Sequence, residues 1–274
     1  MPFITTRGGG RIWYQQRGSG PTLLFIHGWC MSGDIWQLQQ QLAERHRVVT
    51  YDLRGHGRSS LPSGGRGGFE GHVADLVAVM EDLDLQDTVA VGWSLGAQVL
   101  LRGYAAFAGR LAGLVLVGAT PRFTAAPHFP YGLPAKEALG MMLKVRRSLK
   151  RALDGFHRQL FVHGELSDPL LAEQVRSVLA EVPLPTPAAA LDGLEALMHA
   201  EMLLDAPRID APVLLLHGDQ DRVCLPQASA WLAEAIPGSR RLVYPGCGHA
   251  PFLSRAVQFN RDVALFAGVH DAGR

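Results

Sequence analysis

This 274-residue sequence has almost no net charge, only three cysteines and no long apolar run. The 26 Lys and Arg residues nearly balance the 25 Asp and Glu residues, which gives no overall basis for binding nucleic acid or a membrane surface. The cysteines, Cys30, Cys224 and Cys247, are odd in number and lack metal-ligand spacing, which argues against a disulfide framework and a zinc site. No apolar segment reaches the length of a membrane-spanning helix or forms an N-terminal signal peptide. The sequence therefore predicts a cytoplasmic, monomeric globular protein without metal or cofactor.

Short apolar runs bounded by Gly, Pro or Asp alternate along the chain with segments of helical spacing. The runs at 23–27, 88–93 and 213–217 are apolar almost throughout, which is typical of strands covered on both faces of a parallel sheet. Segments with helical periodicity follow, for example at 69–85 and 95–107. This alternation predicts an α/β fold with a mostly parallel twisted sheet and helices on both of its faces.

The alternation of strands and helices stops between about residues 121 and 204. That stretch opens with a proline-rich loop, continues with helical segments and contains no convincing strand. Strand-like sequence resumes near residue 211, as if the same sheet continued. We therefore predict a core domain made of residues 1–120 and 205–274, with a helical lid inserted at residues 121–204.

A serine enclosed by glycines is the first candidate functional residue. Gly92-Trp93-Ser94-Leu95-Gly96 follows a predicted strand and precedes a predicted helix, which is the context of a G-x-S-x-G nucleophile elbow. Glycines at both ends permit a backbone turn that side chains would block and leave the serine hydroxyl exposed. We predict that Ser94 is a nucleophile, the alternative being a plain glycine-lined turn.

A serine nucleophile needs a base and a group that orients the base. His249 lies in a loop after the predicted strand at 241–244 and is the candidate base. Asp219 and Asp221 both follow the predicted strand that ends at His217. We select Asp221, because Asp219 directly follows the glycine that ends the strand and is better placed to hydrogen-bond the turn.

Ester or amide cleavage also requires N–H donors for the oxyanion of the tetrahedral intermediate. The backbone N–H of Leu95, directly after the nucleophile, is one candidate. The other is the N–H of Trp29, in the loop that follows the early strand at 23–27. The segment Arg54 to Ser59 contains a G-x-G pattern but lacks the third glycine and the helix start of a dinucleotide site, so we discard a nucleotide-binding interpretation.

Together these motifs resemble the α/β-hydrolase family over the whole chain outside the insertion: HGW, DLRGHGRS, GWSLG, HGDQD and GHAPF. The tryptophans at 29 and 93, the segment 249–252 and the segment 191–195 further resemble the pimeloyl-acyl-carrier-protein methyl ester carboxylesterases. Ala97 departs from the glycine that is common after the elbow. The resemblance implies cleavage of a methyl ester on a pimeloyl chain carried by acyl carrier protein, with release of methanol.

The predicted lid contains six basic residues and a single acid between residues 144 and 158. Lys144, Arg147, Arg151 and Arg158 are spaced so that one helix would present them on one face. Such a face is either simply solvated or a docking site for an acidic protein. The family resemblance implies that acyl carrier protein is this partner, with Arg151 the best match to a carrier-binding lid arginine.

Apolar lid residues provide candidates for an acyl-binding tunnel, and Phe156 is the one we select. Packing within the lid explains the same residues equally well. The fold does not determine the substrate, so a general short-chain carboxylesterase or an enol-lactone hydrolase remains an alternative. A further alternative of another class is a ligand- or carrier-binding module without catalytic activity.

Overall fold

The computed structural model describes residues 2–6, 9–61 and 68–271. Within them eight strands form one sheet in the order β1-β2-β4-β3-β5-β6-β7-β8. The strands are β1 (Phe3–Thr5), β2 (Arg11–Arg17), β3 (Thr22–Ile26), β4 (Arg47–Tyr51), β5 (Thr88–Trp93), β6 (Leu111–Val117), β7 (Val213–Gly218) and β8 (Arg240–Tyr244). Strand β2 pairs antiparallel with both β1 and β4, and all the other neighbouring strands of the sheet pair in parallel. The predicted mostly parallel sheet is thereby confirmed.

The central strands are the most apolar ones in the sequence, and burial explains why. Every residue of β3, β5 and β7 is buried, so these strands have no solvent face on which polar residues would alternate. The sequence analysis did not find β1, because three residues are too few to show a period. The predicted core domain also includes Met1 and residues 7–8, 62–67 and 272–274, which lie outside the described residues.

Helices connect the strands of the sheet. They are α1 (Gly68–Asp82), α2 (Leu95–Phe107), α3 (Ala135–Arg147), α4 (Leu149–Gln159), α5 (Pro169–Glu181), α6 (Pro187–His199), α7 (Pro226–Ala235), α8 (Pro251–Ser254) and α9 (Ala256–Asp271), with 3-10 helices at Gly33–Glu44, Ala108–Arg110 and Ala206–Arg208. In the part of the chain that the structure describes, no helix is long and apolar enough to cross a membrane.

Helices α3 to α6 lie between β6 and β7, in the segment that the sequence marks as an insertion. The two ends of this helical insertion meet beside the sheet. Arg122 and Glu201 form an antiparallel bridge, and the N–H of Met202 donates to the carbonyl of Pro121 at 2.8 Å. The insertion therefore leaves and rejoins the core at one place.

The prediction of one basic helix face from residue 144 to 158 is wrong. Lys144 and Arg147 belong to α3, whereas Arg151 and Arg158 belong to α4. Ser148 separates these helices with an extended backbone (φ −165°, ψ 104°), and its hydroxyl accepts a hydrogen bond from the N–H of Arg151. Serine is favoured at such an N-cap because its oxygen satisfies a free N–H of the first turn.

Candidate active site

Ser94 lies in the sharp turn between β5 and α2. Its backbone has φ 55° and ψ −112°, a conformation that is strained for a residue with a side chain. A Cβ on Gly92 would lie 2.6 Å from the carbonyl oxygen of Gly96, and a Cβ on Gly96 would lie 2.4 Å from that of Ile26. The elbow therefore requires glycine at both positions. The N–H of Ser94 donates to the carbonyl of Val117 at 2.9 Å, which fixes the turn to β6.

The structure brings His249 and Asp221 together at the ends of neighbouring strands. His249 Nδ1 lies 2.6 Å from Asp221 Oδ2, and both side chains are fully buried. The second carboxylate oxygen, Oδ1, accepts hydrogen bonds from the N–H groups of Val223 (2.8 Å) and Cys224 (3.0 Å). Asp219 instead accepts a hydrogen bond from the N–H of Gly246 at 2.7 Å and holds the turn.

A second histidine, His217 at the end of β7, also contacts the carboxylate. Its Nε2 lies 3.2 Å from Asp221 Oδ2. Burial alone would raise the pKa of Asp221, but His249 and His217 together outweigh burial and hold that pKa below its ordinary value. The carboxylate is therefore ionised and ready to stabilise an imidazolium at residue 249. The sequence analysis missed this contact, because a spacing of four residues predicts one only within a helix, and His217 lies at the end of a strand.

His249 lies next to the strand that carries the serine. Trp93 Nε1 donates to the carbonyl of His249 at 2.9 Å, and the two rings are 5.3 Å apart. His249 Nε2 is buried and has no hydrogen-bond partner among the described residues, so its hydrogen bond to Ser94 is not formed here. Such bonds are often long before substrate binds and tighten in the complex.

Cys224 is a further side chain beside the serine. Burial, followed by the charge of Asp221, raises the pKa of the Cys224 thiol well above its ordinary value, whereas a hydrogen bond with Ser94 acts in the opposite direction. The thiol is thus neutral.

The two predicted oxyanion donors lie on different elements. Leu95 is the first residue of α2, so its N–H is one of the donors that a helix leaves without an internal partner. Trp29 is buried, and its indole Nε1 donates to the carbonyl of Ala190 in α6 at 2.8 Å. The ring also meets Phe156 edge-on, with 5.2 Å between centroids. Trp29 therefore joins the core to the insertion.

A cavity of about 400 Å³ opens beside the serine, between the core and the insertion. Ser94, Trp29 and Phe156 line it, as do Phe123, Leu133, Met141, Leu194, Leu197 and Val223. Polar groups also line it: Glu137, Lys144, Gln159 and Arg222. The apolar side chains in this lining are suited to an acyl chain, and the cations are suited to an anionic group on the same molecule.

The four predicted carrier-binding residues are all exposed. Lys144 lines the cavity, and Arg147, Arg151 and Arg158 lie on the outer surface of α3 and α4. The described residues contain no group of three or more His, Cys, Asp or Glu side chains that could hold a metal ion.

Comparison with known proteins decides the family. Residues 21–256 match the family model described as the alpha/beta hydrolase fold. The chain belongs to the α/β-hydrolase family. The predicted fold class is thereby confirmed.

Individual relatives of this α/β hydrolase cover almost its full length. It is 32% identical over 252 residues to the pimeloyl-acyl-carrier-protein methyl ester esterase of Nitrosomonas europaea, covering 90% of this chain and 96% of that protein. It is 33% identical over 279 residues to a non-heme haloperoxidase of Rhodococcus erythropolis, with 97% and 99% covered. An esterase from Exiguobacterium antarcticum superposes with a TM-score of 0.88 at 25% identity, with 97% and 98% covered. The resemblance stated from the sequence motifs is confirmed.

Proposed function

We propose that this α/β hydrolase is a carboxylic ester hydrolase that uses Ser94, His249 and Asp221. The observation that carries the proposal is the buried 2.6 Å hydrogen bond between His249 and Asp221, beside a serine in a strained elbow. Backbone strain of this kind clusters at active sites. The relatives named as esterases support the same reaction class.

In the proposed mechanism, Ser94 Oγ attacks the ester carbonyl carbon while His249 Nε2 removes its proton. The N–H groups of Trp29 and Leu95 donate to the oxyanion that forms. The imidazolium, oriented and stabilised by Asp221, then protonates the departing alkoxide, which leaves as the alcohol. Water repeats the sequence on the acyl-enzyme, so that the acid is released and Ser94 regains its proton.

For the substrate, we propose a pimeloyl methyl ester linked to acyl carrier protein. The relative from Nitrosomonas europaea bears the name of this activity, and the largely apolar cavity beside Ser94 suits an acyl chain. Residues 121–204 would act as the lid over this chain. The exposed cations Lys144, Arg147, Arg151 and Arg158 would attract an acidic carrier and raise its rate of association. We further propose that the protein is a monomer and acts in the cytoplasm.

Turnover of different esters tests the substrate. We expect a higher kcat/KM for methyl pimeloyl-acyl carrier protein than for p-nitrophenyl esters and enol-lactones. If free esters or lactones are the better substrates and carrier linkage adds nothing, a general carboxylesterase or a lactonase is the correct assignment. Labelling of Ser94 by a fluorophosphonate, with Ser94→Ala as control, separates all of these enzymes from a binding module, whose serine would not react.

Charge reversal tests the carrier surface. Arg147→Glu combined with Arg151→Glu should raise KM for the carrier substrate at least tenfold and leave small esters unaffected, because only the carrier contacts the outer surface. The rise should shrink as salt increases. Arg45→Glu is the matched control, because Arg45 is exposed and lies in the core domain, outside the insertion. Equal effects on carrier-linked and free esters would contradict the proposal.

A further inference from the structure

Glu165 is a buried carboxylate in the insertion. It lies between α4 and α5, and the residue is only 5% exposed. An ionised side chain is rarely buried unless it is fully hydrogen-bonded. The mechanism above does not use this residue, so its burial requires another explanation.

The partners of Glu165 supply that explanation. Its Oε2 accepts hydrogen bonds from the N–H of Val162 and from the N–H of Gly248, each at 2.8 Å. Its Oε1 accepts a hydrogen bond from the hydroxyl of Ser254 in α8. Gly248 directly precedes His249. The carboxylate therefore joins the insertion to the backbone that carries the base.

A neighbouring contact extends this connection along the loop that contains His249 (residues 245–250, the base loop). The carbonyl of Leu160 accepts hydrogen bonds from the N–H of His249 at 2.8 Å and of Ala250 at 3.3 Å. A Cβ on Gly248 would lie 2.5 Å from the same carbonyl oxygen. Three consecutive N–H groups of the base loop thus donate to residues 160–165 of the insertion.

These contacts hold one part of the insertion, residues 160–165, against the core. Residues 160–165 cannot leave the core without breaking the hydrogen bonds that hold the base loop. Backbone N–H groups left unpaired in a buried site are unfavourable. This end of the insertion is therefore part of the structure that surrounds the triad.

We propose that Glu165 is a positioning residue, which fixes the base loop so that His249 stays aligned with Ser94 and Asp221. The proposal rests on the proposed function, because it assigns His249 as the base. Displacement of a reacting group by about 1 Å can lower a rate by about 10²-fold. Loss of the Glu165 contacts should therefore lower kcat and leave substrate binding in the cavity nearly unchanged.

Two substitutions of Glu165 separate positioning from other roles. Glu165→Leu has similar size but accepts no hydrogen bond. Glu165→Gln keeps an acceptor oxygen for Val162 and Gly248, and its amide donates to the Ser254 hydroxyl. Glu173→Leu, at an exposed site on α5, is the control for replacing a glutamate in the insertion.

The measurements are kcat and KM on p-nitrophenyl butyrate and the rate at which a fluorophosphonate labels Ser94. For Glu165→Leu we expect kcat and the labelling rate to fall about 100-fold, with KM within about threefold of wild type. Glu165→Gln should restore both rates to within about threefold of wild type, and Glu173→Leu should match wild type. A Glu165→Leu enzyme with near-normal kcat, one altered only in KM, or a Glu165→Gln enzyme as impaired as Glu165→Leu would overturn the proposal.

Ser254→Ala provides a second test if Glu165→Leu does not fold. It removes one of the three donors to the carboxylate and should lower kcat three- to tenfold at constant KM. A lower thermal midpoint with unchanged kcat would overturn the proposal. Failure of the proposed function itself is distinguished by wild type and Ser94→Ala, since equal activity of these two would reject Ser94 as nucleophile whatever the Glu165 variants do.

Discussion

Trp93 Nε1 donates a hydrogen bond to the backbone carbonyl of His249, across 156 positions of sequence. Trp93 is the residue before Ser94, so this bond joins the strand that carries the nucleophile to the loop that carries the base. Both side chains are fully buried. The relative position of serine and histidine therefore depends on an indole that itself takes no part in the chemistry.

Trp93→Phe tests this dependence. The variant keeps an aromatic ring but leaves the His249 carbonyl without its donor, which costs about 1–3 kcal/mol of stability in a buried site. We expect kcat on small esters to fall about tenfold because the base loop shifts. The control is Trp36→Phe. Trp36 is equally buried, but its Nε1 has no hydrogen-bond partner within the described residues. Equal losses in the two variants would contradict the role of the Trp93 hydrogen bond.

The strained backbone of Ser94 predicts a conflict between stability and activity. Glycine adopts a positive φ without the strain, worth about 1–3 kcal/mol, that another residue bears there. Ser94→Gly should therefore be more stable than Ser94→Ala by about 1 kcal/mol in urea unfolding, and both should be inactive on esters. A Ser94→Gly protein that is less stable than Ser94→Ala would show that the elbow is not strained.

Stability at acid pH should depend on a buried histidine outside the active site. Burial, with the charges of His56 and Arg54, lowers the pKa of His72 to about 3. In the unfolded chain His72 binds a proton near pH 6.5, so the folded state should lose stability as the pH falls from about 6.5 to 3.

Measurement of the unfolding free energy in urea at several pH values checks this expectation. Replacement by His72→Phe should reduce the slope of stability against pH in that window by about 1.4 kcal/mol per pH unit. His163→Phe, at an exposed position, is the control for replacing a histidine by phenylalanine. An unchanged slope in His72→Phe would contradict the lowered pKa of His72 in the folded protein.

Phe156 should determine the preferred acyl chain, because its ring lines the cavity next to Trp29. Phe156→Ala enlarges the cavity and removes contacts with short chains. We expect kcat/KM for p-nitrophenyl acetate to fall about tenfold relative to that for a long-chain ester. The loss of a single methylene contact in an apolar pocket already changes specificity by about 10–200-fold. Met142→Ala, at a half-buried position on α3, is the control. A parallel loss for short and long esters would exclude Phe156 from acyl-chain recognition.

Much of this protein could be predicted from local sequence. The apolar runs of β3, β5 and β7 identified the sheet, because strands buried on both faces have no polar positions. The glycines around Ser94 identified the elbow, because the backbone itself excludes any other residue at 92 and 96. The choice between Asp219 and Asp221 also followed from local turn chemistry.

The single basic helix was predicted wrongly because charge spacing alone does not reveal an N-cap. Ser148 is one residue, and only its extended backbone shows that two helices meet there. Only the coordinates could therefore show that Lys144 and Arg147 belong to one helix and Arg151 and Arg158 to the next.

By itself the sequence determined which residue types stand at the ends of which strands, since strand burial, glycine sterics and turn preferences act over a few neighbouring positions. The tertiary structure alone decided which of these residues meet. His217 joins the Asp221 carboxylate, Trp93 holds the base loop, and Glu165 reaches Gly248 across 83 positions. Contacts of this kind depend on how the strand ends, the loops and the insertion pack together, and no local pattern of side chains encodes that packing.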